Sequence, residues 1–132
     1  PFHHAMMICA NAVTQYGGLA VISQSRDWFK NDILPEYDRR RHQWMDLLDD
    51  IGLPYSKPQG AYYVFIDIRP TGLTSAEFVQ KAREEARLVF QPGTIGGGAG
   101  EGFIRGALTK GGEDFDTGLE RFREFVGGLL AK

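Results

Sequence analysis

Ala61-Tyr62-Tyr63-Val64-Phe65-Ile66-Asp67-Ile68 is the stretch that decides the fold class of this 132-residue chain. Its aromatic and β-branched residues favour the pleated surface of a β-strand. Because nearly every position is apolar, we expect both faces of the strand to be covered, at least in part. Pro58-Gln59-Gly60 before it and Arg69-Pro70-Thr71-Gly72 after it have the composition of turns. The stretch predicts a strand over residues 61–68.

Two helices are predicted after this strand. Thr74-Ser75-Ala76-Glu77 is a capping box, in which the first and last side chains bond to each other's backbone N–H groups. Leu73 and Phe78 are spaced to pack across this helix start. The last helix is expected from about Glu113, because apolar residues then recur at the spacing of one helix face. That stripe consists of Phe115, Leu119, Phe122, Val126 and Leu129.

Two helices are also predicted before the strand. Ala5–Ile22 is small and apolar, which indicates a helix interrupted near Gly17-Gly18. If this segment is exposed, it is an association surface. A longer helix is expected from Ser25, its N-cap, to Gly52, with a kink or a break at Pro35.

A glycine-rich loop begins at Pro92-Gly93, between the two helices predicted after the strand, and we expect it to be flexible. Leu88-Val89-Phe90 is predicted as a short strand before the loop, and Gly102–Leu108 as another after it. The order of helices and strands predicts an α+β fold with two layers, in which helices cover a small, mostly antiparallel sheet.

The strand after the loop carries one arginine, Arg105. The loop has no G-x-G-x-x-G or P-loop pattern, and a strand follows it instead of a helix N-terminus, so we expect no phosphate site. Alternation puts Arg105 on the side of the strand opposite Ile104. An arginine there pairs with a carboxylate of the fold, or it binds a ligand carboxylate or phosphate through two parallel hydrogen bonds. The pattern leaves both interpretations open.

Composition and charge exclude several classes of protein. The 15 basic and 17 acidic residues are mixed along the chain, so neither nucleic acid nor a membrane is an expected partner. The Arg39-Arg40-Arg41 run is expected to be solvated or paired with carboxylates such as Asp46 and Asp49. Cys9 is the single cysteine, which excludes an internal disulfide and suits the cytoplasm. Because the chain does not begin with methionine, we expect it to be a piece of a longer protein.

Residues that carry chemistry are few. His3 and His4 point to different sides of a helix, Cys9 adds no fourth ligand and His42 is remote, so we expect no metal site. No G-x-S-x-G motif indicates a catalytic serine. No lysine lies in the buried setting that Schiff-base chemistry needs. The lysines are Lys30, Lys57, Lys81, Lys110 and Lys132. No catalytic residue is predicted in this chain.

Five segments in order resemble the C-terminal part of the class I/II, fold-type I aminotransferases, which depend on pyridoxal 5'-phosphate. They are Gln15-Tyr16, Tyr37-x-x-Arg40-Arg41, Pro58–Tyr63, Ser75–Phe78, and Pro92-Gly93 leading through glycines to Arg105. The resemblance implies an enzyme that moves an amino group between an amino acid and a 2-oxo acid, usually as a homodimer. It implies that Arg105 binds the α-carboxylate of the substrate, and it adds Gly60 as a second substrate-binding residue.

The resemblance also implies a division of the chain. Residues 1–23 are expected to link to a large cofactor-binding domain outside this chain, and residues 24–132 to form the small domain. The family's Schiff-base lysine and the aspartate that faces the pyridine nitrogen belong to the large domain, so no cofactor-binding residue is expected here. The glycines of the loop are expected to let the chain swing across the mouth of the site, with Pro92-Gly93 as the hinge.

Three residues depart from the family pattern. Gly96 and Gly106 stand where larger apolar residues are common, and Asn11 replaces a frequent proline.

The same C-terminal pattern is similar to that of lyases and acyltransferases that use the same cofactor. A non-catalytic module that binds a partner through the apolar N-terminal segment is the remaining alternative.

Overall fold

The computed structural model describes residues 10–24 and 26–131. The chain divides into two compact units, Pro1–Pro35 and Glu36–Lys132, and each is described by itself. Compact units are defined by packing within the structure, whereas the expected boundary between residues 23 and 24 concerns a domain outside this chain. That boundary stays a prediction. The expected N-cap Ser25 lies outside the described residues.

The first unit contains helix α1, Ala12–Ser23. The side chain of Asn11 caps this helix, because its Oδ1 accepts the N–H of Thr14 at 2.9 Å. Asn11 thus stabilises the helix start. The predicted interruption at Gly17-Gly18 is wrong: glycine lowers helix stability but keeps the backbone N–H that the helix needs.

The apolar residues of α1 are exposed, and none of its residues is buried. The exposed apolar side chains are Val13, Tyr16, Leu19, Val21 and Ile22. Helix α2, Arg26–Trp28, follows, and a π-helical turn over Phe29–Ile33 leads into helix α3, Leu34–Ile51. The change of helix type lies just before Pro35, but the helical backbone continues through it. The helix is therefore not broken at Pro35, and a kink there stays a prediction. Gly52 ends α3 with a φ of 70°, as predicted.

The second unit is built on a four-stranded antiparallel sheet. Its strands are β1, Tyr55–Ser56; β2, Tyr63–Asp67; β3, Gln91–Pro92; and β4, Phe103–Ala107. Their order in the sheet is β1-β2-β4-β3, and all neighbours are antiparallel. Together with the helices below, the sheet confirms the α+β fold class.

Two strand predictions need correction. The strand predicted over Leu88-Val89-Phe90 is not formed. Leu88 and Phe90 pack against the core, and the chain pairs with β4 only at Gln91–Pro92. β1 was not predicted, because two residues are too few to show a pattern.

Helices α4, Ser75–Glu85, and α5, Glu113–Leu130, lie against one face of the sheet together with α3. The predicted capping box at Thr74 and Glu77 is confirmed. The stripe of α5 is confirmed as well, since Phe115, Phe122 and Val126 are buried and Leu119 and Leu129 pack against the same core.

The two faces of the sheet differ. Val64 and Ile66 of β2 and Ile104 of β4 are fully buried on the helix side. Tyr63 and Phe65, on the other face, are half-buried. Partial cover of both faces is therefore confirmed, and the half-buried face is the one that can meet a ligand.

Gly106 of β4 is explained by its neighbour in the core. A Cβ at this position would lie 3.2 Å from Cζ2 of Trp44 and 3.4 Å from Cδ1 of Ile66. The indole of Trp44 thus occupies the space that a larger apolar residue at position 106 would need. Glycine at this position therefore fits the close packing of the core around Trp44.

Candidate functional site

Arg105 lies in the middle of β4, on the half-buried face of the sheet. It stands opposite Phe65 of β2 and Gln91 of β3. Its neighbour Ile104 is fully buried on the helix side, and Arg105 itself is half-buried. The alternation of the strand therefore presents its guanidinium on the face that the helices leave open.

An aromatic ring, and not a carboxylate, lies against the guanidinium of Arg105. Its Cζ atom is 4.0 Å from the centroid of the Tyr63 ring, within the range of a cation–π contact. Within residues 10–24 and 26–131, no ion pair or side-chain hydrogen bond is formed by the guanidinium of Arg105. The structural ion pair considered from the sequence is therefore not found in the described chain, and the guanidinium keeps its N–H donors for a ligand.

Arg69 lies against the same face of the sheet but, unlike Arg105, is paired with a carboxylate. Its Cζ is 5.2 Å from the centroid of the Phe103 ring, and its Nε donates to Oδ1 of Asp67 at 2.9 Å. The side-chain hydrogen bonds from Arg69 hold the pKa of the buried Asp67 carboxyl below its ordinary value. Arg69 is thus neutralised by a partner within the fold, whereas Arg105 is not.

A cavity of about 370 Å³ lies beside Arg105. Residues of the loop from 92 to 100 form most of its wall, together with Phe65 and Arg105. Gly96 lines it as well, and a Cβ at this position would meet no atom within 4 Å. A mostly apolar wall that carries one cation suits an organic molecule with a carboxylate.

The glycine-rich loop is folded into two 3₁₀ turns, Gly93–Gly96 and Gly98–Gly100. A Cβ on Gly93 would collide with the carbonyl oxygen of Gly100, and a Cβ on Gly100 would collide with the carbonyl of Gly93. These two glycines are therefore required by a close approach of backbone to backbone. The swinging motion expected of the loop stays a prediction.

Ser75, the first residue of α4, fixes the far end of the loop. Its buried hydroxyl accepts the N–H of Gly102 at 2.8 Å. Glu101 returns a bond, since its Oε1 accepts the N–H of Ser75 at 2.8 Å, and this bond holds the pKa of Glu101 below its ordinary value. The backbone that leads into β4 and Arg105 is thereby anchored to a helix start.

Gly60, the second predicted substrate-binding residue, lies in the exposed bend before β2. It does not line the cavity beside Arg105. The next residue, Ala61, has a φ of 60°, which is unusual for a residue with a side chain. A substrate contact by Gly60 stays a prediction.

The Arg39-Arg40-Arg41 run is paired with carboxylates one helical turn before it. The first two arginines bond to Glu36 at 2.8 Å each, and the third bonds to Asp38 at 2.6 Å. Asp46 and Asp49 were the wrong partners, because they lie five or more residues beyond the run, whereas side chains three or four apart meet on a helix. The arginines lower the pKa of Glu36 to about 2, mainly through the side-chain hydrogen bond from Arg39.

The described part of the chain offers no buried lysine. Its lysines are exposed or half-buried, and they are Lys30, Lys57, Lys81 and Lys110. Over the same residues, no cluster of three or more His, Cys, Asp or Glu side chains is placed to hold a metal ion. His3, His4, Cys9 and Lys132 lie outside the described residues. None of the described helices is both long and apolar enough to cross a membrane.

Sequence reasoning missed Tyr63 as the neighbour of Arg105, and it missed the pairing of Asp67 with Arg69. Alternation does place Tyr63 and Arg105 on the outward side of their own strands. Only the register, in which Phe65 faces Arg105, brings the two side chains together. The short spacing of Asp67 and Arg69 was the available signal for the second pair.

Fold and site together define a small α+β domain that presents one arginine, without a carboxylate partner in the described chain, on the open face of an antiparallel sheet. Residues 4–121 match the family model "Aminotransferase class I and II". The chain belongs to this family.

Relatives of known sequence and structure agree with the assignment. An aspartate aminotransferase of Pyrococcus abyssi is 35% identical over 119 residues, which cover 89% of this chain and 31% of the relative. Aromatic-amino-acid aminotransferase 2 of Thermococcus litoralis is 34% identical, with the same two shares. The crystal structure of an aromatic aminotransferase from Pyrococcus horikoshii matches with a TM-score of 0.77 and 36% identity, over 86% of this chain and 31% of that one. The chain thus spans about a third of the length of these relatives.

Proposed function

We propose that this chain is the C-terminal, small-domain part of an aminotransferase that uses pyridoxal 5'-phosphate, and that Arg105 binds the substrate α-carboxylate. The substrates are an amino acid and a 2-oxo acid. The observation that carries the proposal is Arg105 at the wall of an apolar cavity, without a carboxylate partner in the described chain. A substrate carboxylate in the plane of the guanidinium accepts two parallel hydrogen bonds. The cavity then has room for the rest of the substrate.

In this proposal the chain binds and orients the substrate, and it performs no bond-breaking step. Holding the carboxylate on a rigid strand fixes the direction of the substrate Cα–H bond, which is a large part of what an enzyme contributes to such a reaction. When bound, pyridoxal phosphate acts as the electron sink for that reaction. The described lysines are not buried, so they do not fit the cofactor, and we assign its lysine to the part of the protein outside this chain.

Replacing Arg105 by lysine in the whole enzyme tests the proposal. Lysine keeps the charge but replaces a two-donor fork by a point charge. Losing one charge-assisted hydrogen bond raises KM for the amino acid and for the oxo acid by about tenfold to a hundredfold.

Arg69→Lys is the matched control, because Arg69 lies on the same sheet face but is engaged by Asp67. We expect this variant to leave KM within about twofold, since its charge already has a partner. An unchanged KM in Arg105→Lys would remove Arg105 from the substrate site.

A lyase or acyltransferase with the same fold is the first alternative. The named relatives are aminotransferases, which supports amino transfer. In the whole enzyme, turnover of the amino acid should therefore depend on added 2-oxo acid. Product formed without an oxo acid would favour a lyase.

The exposed apolar side of α1 favours a second role, in assembly. Val13 and Ile22 are about four-fifths exposed, at 82% and 79%, and apolar surface of this kind binds other protein surfaces. We propose that α1 docks against the second subunit of a cytoplasmic homodimer. Leu19→Gln and Ile22→Gln should weaken the dimer of the whole enzyme in sedimentation experiments, and a dimer of unchanged strength would contradict this role.

A further inference from the structure

The ring of Tyr63 lies closer to the guanidinium of Arg105 than any other aromatic ring of the described chain. Its centroid is 4.0 Å from Cζ of Arg105, whereas the cation–π contact of Arg69 with Phe103 measures 5.2 Å. Tyr63 is itself fixed in place, because it belongs to β2 and pairs with Ala107 of β4. Its ring also lies against that of Tyr62, with 4.4 Å between the centroids.

An arginine is a long side chain, and holding it in one rotamer has a large entropic cost. A carboxylate removes that freedom but occupies the N–H donors, as Asp67 does for Arg69 with bonds to Nε and Nη2. A ring acts differently, because it covers the flat face of the guanidinium. The N–H donors lie in the plane of the group and remain directed outward.

The ring that contacts Arg105 is not the one directly opposite it in the sheet. Phe65 stands directly opposite Arg105 in the register. Its ring, however, is stacked on Phe103, with 4.9 Å between the centroids and 8° between the planes. Phe65 and Phe103 therefore form one stacked pair, and the guanidinium of Arg105 lies on Tyr63.

We infer that Tyr63 is a positioning residue for Arg105: its ring holds the guanidinium flat, so that the N–H edge points at the substrate carboxylate without being neutralised. This inference rests on the proposed function of Arg105. Tyr63 itself does not touch the substrate in this role. The ring, and not the hydroxyl, does the positioning, so phenylalanine at this position replaces tyrosine without loss.

The test uses the whole enzyme with Tyr63→Leu, which removes the ring but keeps an apolar side chain, and Tyr63→Phe, which keeps the ring. We expect Tyr63→Leu to raise KM for the amino acid by about threefold to tenfold, the size of a partly desolvated cation–π contact. The inhibition constant of hydrocinnamate, a carboxylate that has no amino group and cannot react, should rise by the same factor. Tyr63→Phe should restore both values.

A double-mutant cycle with Arg105→Leu separates positioning from general damage to the sheet. If Tyr63 acts through Arg105, then Tyr63→Leu has no further effect on hydrocinnamate binding once Arg105 is leucine. An equal effect in both backgrounds would overturn the inference while leaving the role of Arg105 intact. If Arg105→Leu itself does not weaken hydrocinnamate binding, the proposed function fails first. Should Tyr63→Leu not fold, Tyr63→Met carries the same test, because methionine is flexible and has no ring face.

Discussion

Removing the hydroxyl of Ser75 tests how the glycine-rich loop is anchored to the start of α4. The side chain of Ser75 is fully buried, and its Oγ accepts the N–H of the buried Gly102 at 2.8 Å. Ser75→Ala leaves that N–H without an acceptor, which costs about 1–3 kcal/mol. The second contact of the hydroxyl, to the carbonyl oxygen of Gly100 at 3.5 Å, is too long to add much.

We therefore expect Ser75→Ala to lower the free energy of unfolding by about 2 kcal/mol, which is about a thirtyfold change in the folding equilibrium. The bond from the N–H of Ser75 to Glu101 uses the backbone, and it survives in the variant. Urea unfolding followed by circular dichroism measures the change as a shift in midpoint with an unchanged slope.

The control is Ser56→Ala, because Ser56 is exposed in the short strand β1. That variant should change the free energy of unfolding by less than about 0.5 kcal/mol. If Ser75→Ala also stays below this limit, the buried bond to Gly102 does not hold the loop and the reasoning is refuted.

Two further predictions concern the core and the basic run. Gly106→Val should destabilise the second unit by about 1–3 kcal/mol through overpacking against Trp44. Combining it with Trp44→Leu should cost less than the sum of the two single changes. Strictly additive changes in urea unfolding would show that the two positions do not compete for the same space. Because the pKa of Glu36 is lowered from 4.5 to about 2, its contribution to stability is complete above pH 4.5 and is lost as the pH falls toward 2. Glu36→Gln should therefore flatten the acid limb of the unfolding curve, whereas Glu120→Gln, at an exposed residue of α5, should not.

Local signals in the sequence were sufficient to predict the helices of the second unit. The capping box at Thr74 and the stripe of α5 depend on residues three or four apart, so the information lies within one helix. The strand at Leu88-Val89-Phe90 was predicted on the same local basis and was wrong. Whether a β-prone segment pairs is decided by what lies beside it, and Leu88 and Phe90 are used for packing instead.

The site was predictable only to the level of single residues. Alternation placed Arg105 correctly relative to Ile104, because that relation lies within one strand. The contact with Tyr63 depends on the pairing of β2 with β4. In that pairing Tyr63 faces Ala107, a residue 44 positions further along the chain (107 − 63), so no local pattern shows it. The same limit applies to two glycines. Position 93 has no room for a side chain because the carbonyl oxygen of Gly100 lies against it, and position 106 is crowded by the indole of Trp44.

The lengths of the outer strands bear on how the second unit behaves in concentrated solution. β1 and β3 lie at the two edges of the sheet, and each has two residues. Short edges, one of them ending in Pro92, which has no N–H, offer little backbone for a strand of another molecule to add to. If Leu88-Val89-Phe90 had joined β3, that edge would be long and apolar, a typical starting point for aggregation. Because residues 88–90 do not extend β3, this edge of the sheet stays short, and the addition of a strand from another molecule is disfavoured.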